Sequence, residues 1–282
     1  MKYIDLHVHS TASDGSYTPS ELVNYAIKKN LSAFALTDHD TTAGIDEAMA
    51  EASRINSSAN AQIIRVIPGI ELSAEHNGRD IHILGLNIDY KNEEFNRQVE
   101  IYRKSREDRN NKMTTLLQKN GFNITPEMLK HHFGDAVITR AHYAILMVEG
   151  GYVSDKNEAF NKYLNPGCPC YIPRTKITVV DAVRLIISAN GKPVLAHPLL
   201  YHLSDEELDS LVCLLKNNGL QGIEAIYSSN KGNDETNMKN LAKKYNLFIT
   251  GGSDFHGVAK PGLDLGVGYG DMKISEELLQ NI

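Results

Sequence analysis

The chain has 282 residues, of which 41% are hydrophobic and 23% charged, and its formal net charge is −6 at pH 7. A chain of this length can bury a large core, and single α/β barrels commonly have this size. The negative charge argues against a protein that grips long nucleic acid by neutralising phosphates, and no apolar run approaches the roughly 20 residues needed to cross a bilayer. A strand pattern starts at once and the three cysteines form no disulfide pattern, so we expect a cytoplasmic protein without a signal peptide.

Strand and helix patterns then alternate in the first and last parts of the chain. The first strand covers 3–6, and Thr18-Pro19-Ser20-Glu21 is a capping box that opens a helix to about Lys29. Further strands are predicted within 33–40, 63–70, 80–85, 193–196, 222–227 and 247–250, and further helices at about 42–56, 179–189, 206–217 and 235–245. Repeated βα units predict a parallel sheet with helices on its faces, and polar residues at strand ends favour a barrel over an open sheet.

The middle of the chain interrupts this alternation. Helical patterns dominate there: a charged helix begins at Val99 and continues to Lys119, and another starts at Thr125-Pro126. We therefore predict a helical insertion, or cap domain, at 92–173, between the parts 1–91 and 174–282 of one barrel domain.

The end of the first strand carries His7-Val8-His9, with Asp14 following in a loop. Residues two apart in a strand point to the same side, so the two imidazoles share one face. Taken alone, such a pair is as typical of hydrogen-bonded polar side chains as of a metal site.

Matching residues occur at the ends of later strands. Six histidines and three carboxylates lie at or near strand ends: His7, His9, Asp14, His39, Glu71, His82, His197, Asp254 and His256. Imidazole nitrogens and carboxylate oxygens together suit borderline divalent metals such as zinc, manganese or iron. Nine candidate ligands are too many for one ion, so the pattern predicts a multinuclear site with bridging carboxylates.

These motifs, in this order, resemble those of the polymerase-and-histidinol-phosphatase (PHP) family. The matching segments are His7-x-His9 with Asp14-Gly15, Thr37-Asp38-His39-Asp40, Gly69-Ile70-Glu71 with His82, Ala196-His197-Pro198 and Ser253-Asp254-Phe255-His256. The helical insertion looks like that of the family branch of nucleotide-3′,5′-bisphosphate phosphatases and short-RNA 5′-exonucleases. The resemblance implies an α/β fold, a distorted (β/α)7 TIM-like barrel, around a centre of three divalent metal ions.

The resemblance also implies how the ligands are shared among the three ions. One ion would be held by His7, His9, Glu71 and Asp254; a second by Glu71, His82 and His197; and a third by Asp14, His39 and His256. Clustered ions activate water and clamp phosphoryl oxygens, so no Ser or Cys nucleophile is required. Asp38 and Asp40 flank His39 and are candidates to orient an imidazole or move a proton, although Asp40 is equally suited to cap the following helix.

The substrate is expected to be chosen by cations of the insertion. Thr139-Arg140-Ala141-His142 resembles a Ser/Thr-Arg-x-His segment of the branch, which makes Arg140 the best candidate for a phosphate ligand and His142 a weaker one. Arg174 follows Tyr171-Ile172-Pro173 and is a further candidate. Arg106 and Arg109 lie on the charged helix, for which a solvated face is the default.

One departure from the branch concerns a missing cation. Relatives typically read Ala-His-Pro-x-Arg-Tyr where this chain has Ala196-His197-Pro198-Leu199-Leu200-Tyr201, so that Leu200 replaces an Arg that resembles a phosphate ligand. Lys260 and His202 are candidates to compensate for the missing cation.

The leading prediction is a metal-dependent phosphoesterase that uses metal-activated water on a small nucleotide-like substrate. That substrate is a 3′,5′-bisphosphate nucleotide or a short 5′-phosphorylated oligonucleotide, and neither long nucleic acid nor a membrane is an expected partner. A histidinol-phosphate phosphatase is an alternative, which the long insertion and Asp14 disfavour. A non-catalytic PHP module is another, although such modules usually lose ligands. Hydrolysis of C–N bonds would call for a carboxylated strand lysine, and none stands out.

Overall fold

The computed structural model describes residues 2–173 and 176–282, and the described strands form one sheet. The strands are β1 Tyr3–Val8, β2 Leu31–Leu36, β3 Arg65–His76, β4 Arg79–Leu86, β5 Ile177–Thr178, β6 Lys192–Leu195, β7 Gly222–Tyr227 and β8 Phe248–Gly252. Seven of them follow the order β1-β2-β3-β4-β6-β7-β8, and β5 adds to β3. The sheet curves into a nearly closed barrel, which confirms the predicted fold class.

The two ends of the barrel meet where β1 approaches the segment that follows β8. The Asp254 N–H donates to the His7 carbonyl at 2.9 Å, and the His9 N–H donates to the Phe255 carbonyl at 3.0 Å. This closure places the first and last motifs of the chain side by side.

The direction of β4 corrects the prediction of a wholly parallel sheet. β4 runs antiparallel to both β3 and β6, whereas β1-β2, β2-β3, β6-β7 and β7-β8 are parallel. A two-residue turn joins β3 to β4, and its residues Asn77 and Gly78 have φ of 51° and 77°. Asn-Gly with both φ positive is the preferred sequence of a tight hairpin, so a local turn replaces a helical crossover here.

The described helices are α1 Pro19–Lys28, α2 Ile45–Ala59, α3 Glu93–Lys119, α4 Pro126–Phe133, α5 Arg140–Glu149, α6 Lys156–Ala159, α7 Val179–Ser188, α8 Asp205–Asn217 and α9 Asp234–Lys244. The predicted capping box of α1 is present: Thr18 accepts from the Glu21 N–H, and the Glu21 side chain accepts from the Thr18 N–H. α3 begins at Glu93, earlier than predicted, because Asn92 caps it by accepting from the Phe95 N–H.

Three apolar clusters stabilise the fold. Inward-facing residues of the strands fill the barrel, among them Leu6, Ala35 and Leu84, and a larger cluster joins the outer faces of the strands to their helices. The helical segments of 113–164 share a separate cluster around Met113, Tyr143 and Met147, whereas Phe95 and Val99 in the first half of α3 pack in the larger cluster. No helix in the described parts of the chain is long and apolar enough to span a bilayer.

Candidate active site

β1 carries His7 and is followed directly by His9, two residues further along, as the predicted pairing on one side requires. Both side chains are fully buried, and their ring centroids lie 5.1 Å apart. The Nε2 atoms of His7 and His9 lie 3.3 and 3.2 Å from the same oxygen, Oε2 of Glu71. The two imidazoles therefore converge on one carboxylate.

Glu71, on β3, is the centre of the site. Its Oε2 also lies 2.9 Å from Nδ1 of His39, which follows β2. Its Oε1 lies 2.7 Å from Nδ1 of His82 and 2.9 Å from Nε2 of His197. Because β4 is reversed, His82 reaches this end of the barrel from the first half of its strand, opposite Ser73 of β3.

The remaining carboxylates lie on the side of the centre where the barrel closes. Asp254 Oδ1 is 3.3 Å from Nε2 of His9, and Asp14 Oδ1 is 3.2 Å from Nε2 of His256. Asp14 also faces His39, with 3.9 Å between Oδ2 and Nε2. The structure thus brings all nine candidate ligands of the sequence into one cluster.

The donor atoms of this cluster fit divalent metal ions. Four groups have ligand atoms within 4.8 Å of one another: His9-Asp14-His39-His256, His7-His197-Asp254, His7-His9-Glu71 and His39-Glu71-His82. Several of their buried atoms have no hydrogen-bond partner within the described residues: His7 Nε2, His9 Nδ1 and Nε2, Asp14 Oδ1, His39 Nδ1, Glu71 Oε2 and His197 Nδ1. Because an unpaired buried polar atom costs free energy, convergent lone pairs of this kind favour a bound cation.

Burial and nearby charges shift the pKa values of the candidate histidine ligands in opposite directions. Burial lowers the pKa of His82 and His256 to about 4, so both rings are neutral at physiological pH. Burial alone would also lower the pKa of His7 and His9, but nearby carboxylates outweigh it. Glu224 and Glu71 raise the pKa of His7 well above its usual value, and Asp254 and Glu71 raise that of His9 to about 9.

Asp38 and Asp40 are both buried, and each orders a segment that carries a candidate ligand. Asp38 accepts from the Ser10 N–H at 2.8 Å, the Ser10 hydroxyl at 2.7 Å and the Ser13 hydroxyl at 2.6 Å, which fixes the loop leading to Asp14. Asp40 accepts from the Ser73 N–H at 2.8 Å and pairs with Arg106. The helix-capping alternative for Asp40 is wrong, because α2 begins after Gly44 and has no side-chain cap.

Sequence reasoning missed Glu224, a fully buried residue of β7. Its Oε1 lies 3.1 Å from Nδ1 of His7, and its Oε2 accepts from the His197 N–H at 2.7 Å. The Glu224 carboxylate therefore orients two candidate ligands through hydrogen bonds, one to the His7 ring and one to the His197 backbone. The available signal was one glutamate within the otherwise apolar strand Gly-Ile-Glu-Ala-Ile-Tyr.

A cavity of about 200 Å³ opens onto the candidate ligands Asp14, His39 and His82. Four cations also line it: Arg106, Arg109, Arg140 and Lys176. Arg106 and Arg109 are only 7% and 6% exposed, so the expectation of a solvated face is wrong at these positions, where α3 turns them towards the barrel. Arg140 donates to Asp80 at 3.1 Å, and its guanidinium lies 5.7 Å from the ring centroid of Tyr171.

The other substrate candidates have different surroundings. His142 is buried and caps α5, because its Nδ1 accepts from the Thr139 N–H at 3.0 Å, and burial lowers its pKa to about 4. Lys260 donates to Asp254 at 2.5 Å, beside the ligand cluster. His202 is exposed and does not line the cavity, and Leu200 is 44% exposed. Arg174 lies outside the described residues.

Comparison with known proteins identifies the class to which this barrel and its cluster belong. The PHP domain model matches residues 5–246. The chain is 35% identical over 252 residues to the 5′-3′ exoribonuclease Rnm of Escherichia coli, covering 89% of this chain and 84% of that protein. It is 33% identical over 267 residues to a 3′,5′-nucleoside bisphosphate phosphatase of Chromobacterium violaceum, covering 94% and 91%.

A solved structure agrees with these relatives. A Bifidobacterium adolescentis protein described as a metal-dependent phosphoesterase superposes with a TM-score of 0.85 at 29% identity, covering 100% of this chain and 95% of that one. The protein is thus a metal-dependent barrel hydrolase that acts on phosphate esters. It belongs to the PHP family, as its motifs predicted.

Proposed function

We propose that this enzyme hydrolyses a phosphate ester of a small nucleotide-like compound that carries a further anionic group. The observation that supports this proposal is the single cavity shared by three candidate metal ligands and the cations Arg106, Arg109, Arg140 and Lys176. A phosphoryl group at the ligands and a second phosphate among the cations would complement both ends of such a molecule. The two named relatives act on substrates of this kind, a 3′,5′-bisphosphate and RNA.

We propose that the centre holds three divalent ions, with manganese, zinc and iron all compatible with its imidazole and carboxylate donors. In this assignment His7, His9, Glu71 and Asp254 would hold one ion, and Glu71 would be shared with a second, also held by His82 and His197. Asp14, His39 and His256 would hold the third. When bound, the ions would supply an activated water and neutralise charge on the phosphoryl oxygens.

The protein's own residues would do the positioning. Arg140 is the proposed clamp for the second anionic group, because its planar guanidinium can give two parallel hydrogen bonds to a phosphate. The part of the substrate bound in the cavity would be a mononucleotide or the 5′ end of a short oligonucleotide. We further propose that 92–173 acts as a cap domain that supplies Arg106, Arg109 and Arg140. We also propose that the three free cysteines belong to a reducing, cytoplasmic setting.

A phosphate-release screen with added manganese tests this function. We expect turnover of nucleoside 3′,5′-bisphosphates or short 5′-phosphorylated RNA to exceed that of mononucleotides with one phosphate and of histidinol phosphate. A preference for histidinol phosphate would instead support the alternative phosphatase, and metal-loaded protein inactive on all of them would contradict the proposal.

The Arg140→Met variant tests the clamp on the preferred substrate. Charge-assisted hydrogen bonds are worth about 1.5–3 kcal/mol, so KM should rise roughly 10- to 100-fold with a smaller change in kcat. Arg97→Met is the matched control, since Arg97 is an exposed residue of α3 that pairs only with Glu94 among the described residues. Equal KM values for the two variants would remove Arg140 from the proposal.

A further inference from the structure

The helical insertion touches one part of the ligand cluster directly, through Thr139. Its Oγ1 donates to Oδ2 of Asp14 at 3.0 Å, and the two side chains are 6% and 7% exposed. Thr139 is also the N-cap of α5, where its Oγ1 accepts from the Ala141 N–H at 3.2 Å. One hydroxyl therefore joins the start of this helix to a candidate metal ligand, and leaves Oδ1 of Asp14 facing His256.

A second contact comes from α3. Arg106 pairs with Asp40, the residue after the candidate ligand His39, and donates to the Ser73 hydroxyl at 2.9 Å. Arg106 and Asp40 are 7% and 2% exposed, so this ion pair is buried between the insertion and the barrel. Removing either partner of a buried pair leaves an uncompensated charge, so the contact holds α3 firmly against the 39–40 segment.

Both contacts act on the same group of ligands. Asp14 and His39 belong to the group that also contains His9 and His256, and His39 also belongs to a group with Glu71 and His82. In contrast, the hydrogen bonds of Glu71, His82 and His197 within the described residues go to barrel residues, among them Glu224 and Tyr201. The insertion thus donates a hydrogen bond to the candidate ligand Asp14 itself, whereas on the strands of Glu71 and His82 it contacts neighbouring residues, through Arg106 to Ser73 and Arg140 to Asp80.

We propose that the helical insertion controls the affinity of one ion, the one assigned to Asp14, His39 and His256, through Thr139 on Asp14 and Arg106 beside His39. This inference rests on the three-ion assignment proposed above. Thr139 acts as a positioning residue: it holds Oδ2 of Asp14 and leaves Oδ1, which lies beside His256, available as a metal ligand. Loss of such an outer hydrogen bond typically weakens metal binding about 10- to 100-fold.

The coupling also reaches the substrate. Arg140 follows Thr139 directly, so an anion bound by Arg140 stabilises the same helix start that orients Asp14. Coupling between two binding sites is reciprocal, so substrate and this ion should each raise the affinity for the other.

Manganese titration of the full chain, with bound metal counted after equilibrium dialysis, tests the inference. For Thr139→Val we expect one equivalent of manganese to bind about 10- to 100-fold more weakly while the other equivalents keep their affinity. Thr139→Ser should restore binding. Thr125→Val is the matched control, because Thr125 caps α4 in the same insertion and contacts the Met128 N–H instead of a metal ligand. Thr139→Gly is a second test variant, since glycine keeps most of the capping preference while removing the hydroxyl.

The possible results distinguish a failure of this inference from a failure of the three-ion assignment on which it rests. A wild-type protein that binds fewer than three equivalents overturns the ligand assignment and the inference with it. A wild-type protein that binds three, with Thr139→Val and Thr139→Gly equal to Thr125→Val, overturns the inference alone. A uniform loss of all equivalents in folded Thr139→Val protein would also overturn it, because the coupling would not be selective.

Discussion

At the scale of single residues, the site depends on buried carboxylates that hydrogen-bond to its candidate ligands or to the segments that carry them. The Glu224 carboxylate contacts the His7 ring and accepts a hydrogen bond from the His197 backbone N–H, and Glu224 is 1% exposed. Asp38 does the same for the loop that leads to Asp14. Such groups fix the tautomer and direction of a ligand, so they contribute to affinity without touching the ion.

Glu224→Gln is expected to lower metal affinity and activity by about 10- to 100-fold while leaving the fold intact. The amide keeps the size of the carboxylate and can still accept one hydrogen bond, but it loses the charge that favours the His7 Nδ1–H. Metal titration and kcat on the preferred substrate measure the effect. Glu235→Gln is the control, because Glu235 is a half-buried residue of α9 that pairs with Lys239 away from the candidate ligands. Indistinguishable behaviour of the two variants would contradict this role.

At the scale of elements, the site depends on how closely β8 approaches β1. A Cβ added to Gly252 would lie 2.2 Å from Cβ of His7 and 2.8 Å from Oε1 of Glu224. No real side chain fits at such distances, so glycine is required for the barrel to close with His7 in place.

Gly252→Ala should therefore reduce both stability and metal binding. Overpacking of this kind typically costs about 1–3 kcal/mol, and here the displaced neighbour is a candidate ligand. Denaturant unfolding gives the stability change and metal titration gives the second effect. In Gly232→Ala, where φ is 54° and the added Cβ meets nothing within 4 Å, only the cost of a left-handed residue is expected, and metal binding should persist. If Gly252→Ala bound metal like the wild type, close approach at this point would not matter.

At the scale of the whole molecule, the centre joins nearly the full circumference of the barrel. Its candidate ligands come from β1, β3 and β4 and from the segments that follow β1, β2, β6 and β8. In metal-free protein, carboxylates raise the pKa of His7 and of His9, the latter to about 9, so both rings carry protons at neutral pH. A metal ion binds the neutral ring, so it must displace those protons.

Manganese binding should accordingly release protons at pH 7, and apparent affinity should rise as the pH increases towards about 9. Because the raised pKa values belong to the metal-free state, protons compete with the metal below them and cease to compete above. Calorimetric titrations in two buffers of different ionisation enthalpy measure the number released. Identical heats in both buffers at pH 7 would show that the rings were already neutral.

The candidate ligands were accessible from sequence because each lies in a local pattern. His7 and His9 are two apart at a strand end, and Asp254 and His256 repeat that arrangement after β8. The antiparallel direction of β4 was not predicted, although Asn77-Gly78 is a local hairpin signal. The repeated βα pattern led to every strand being interpreted as parallel.

The sequence by itself determined the barrel class, the family and the nine residues that the structure gathers into one cluster. Only the tertiary structure decided which buried groups hydrogen-bond to the residues of that cluster and which cations line the same cavity. Arg106 and Asp40 are 66 residues apart, and Glu224 and His7 are 217 apart. Such pairs arise from packing between distant segments, for which helical or strand periodicity contains no signal, whereas strand ends in a barrel converge by geometry alone.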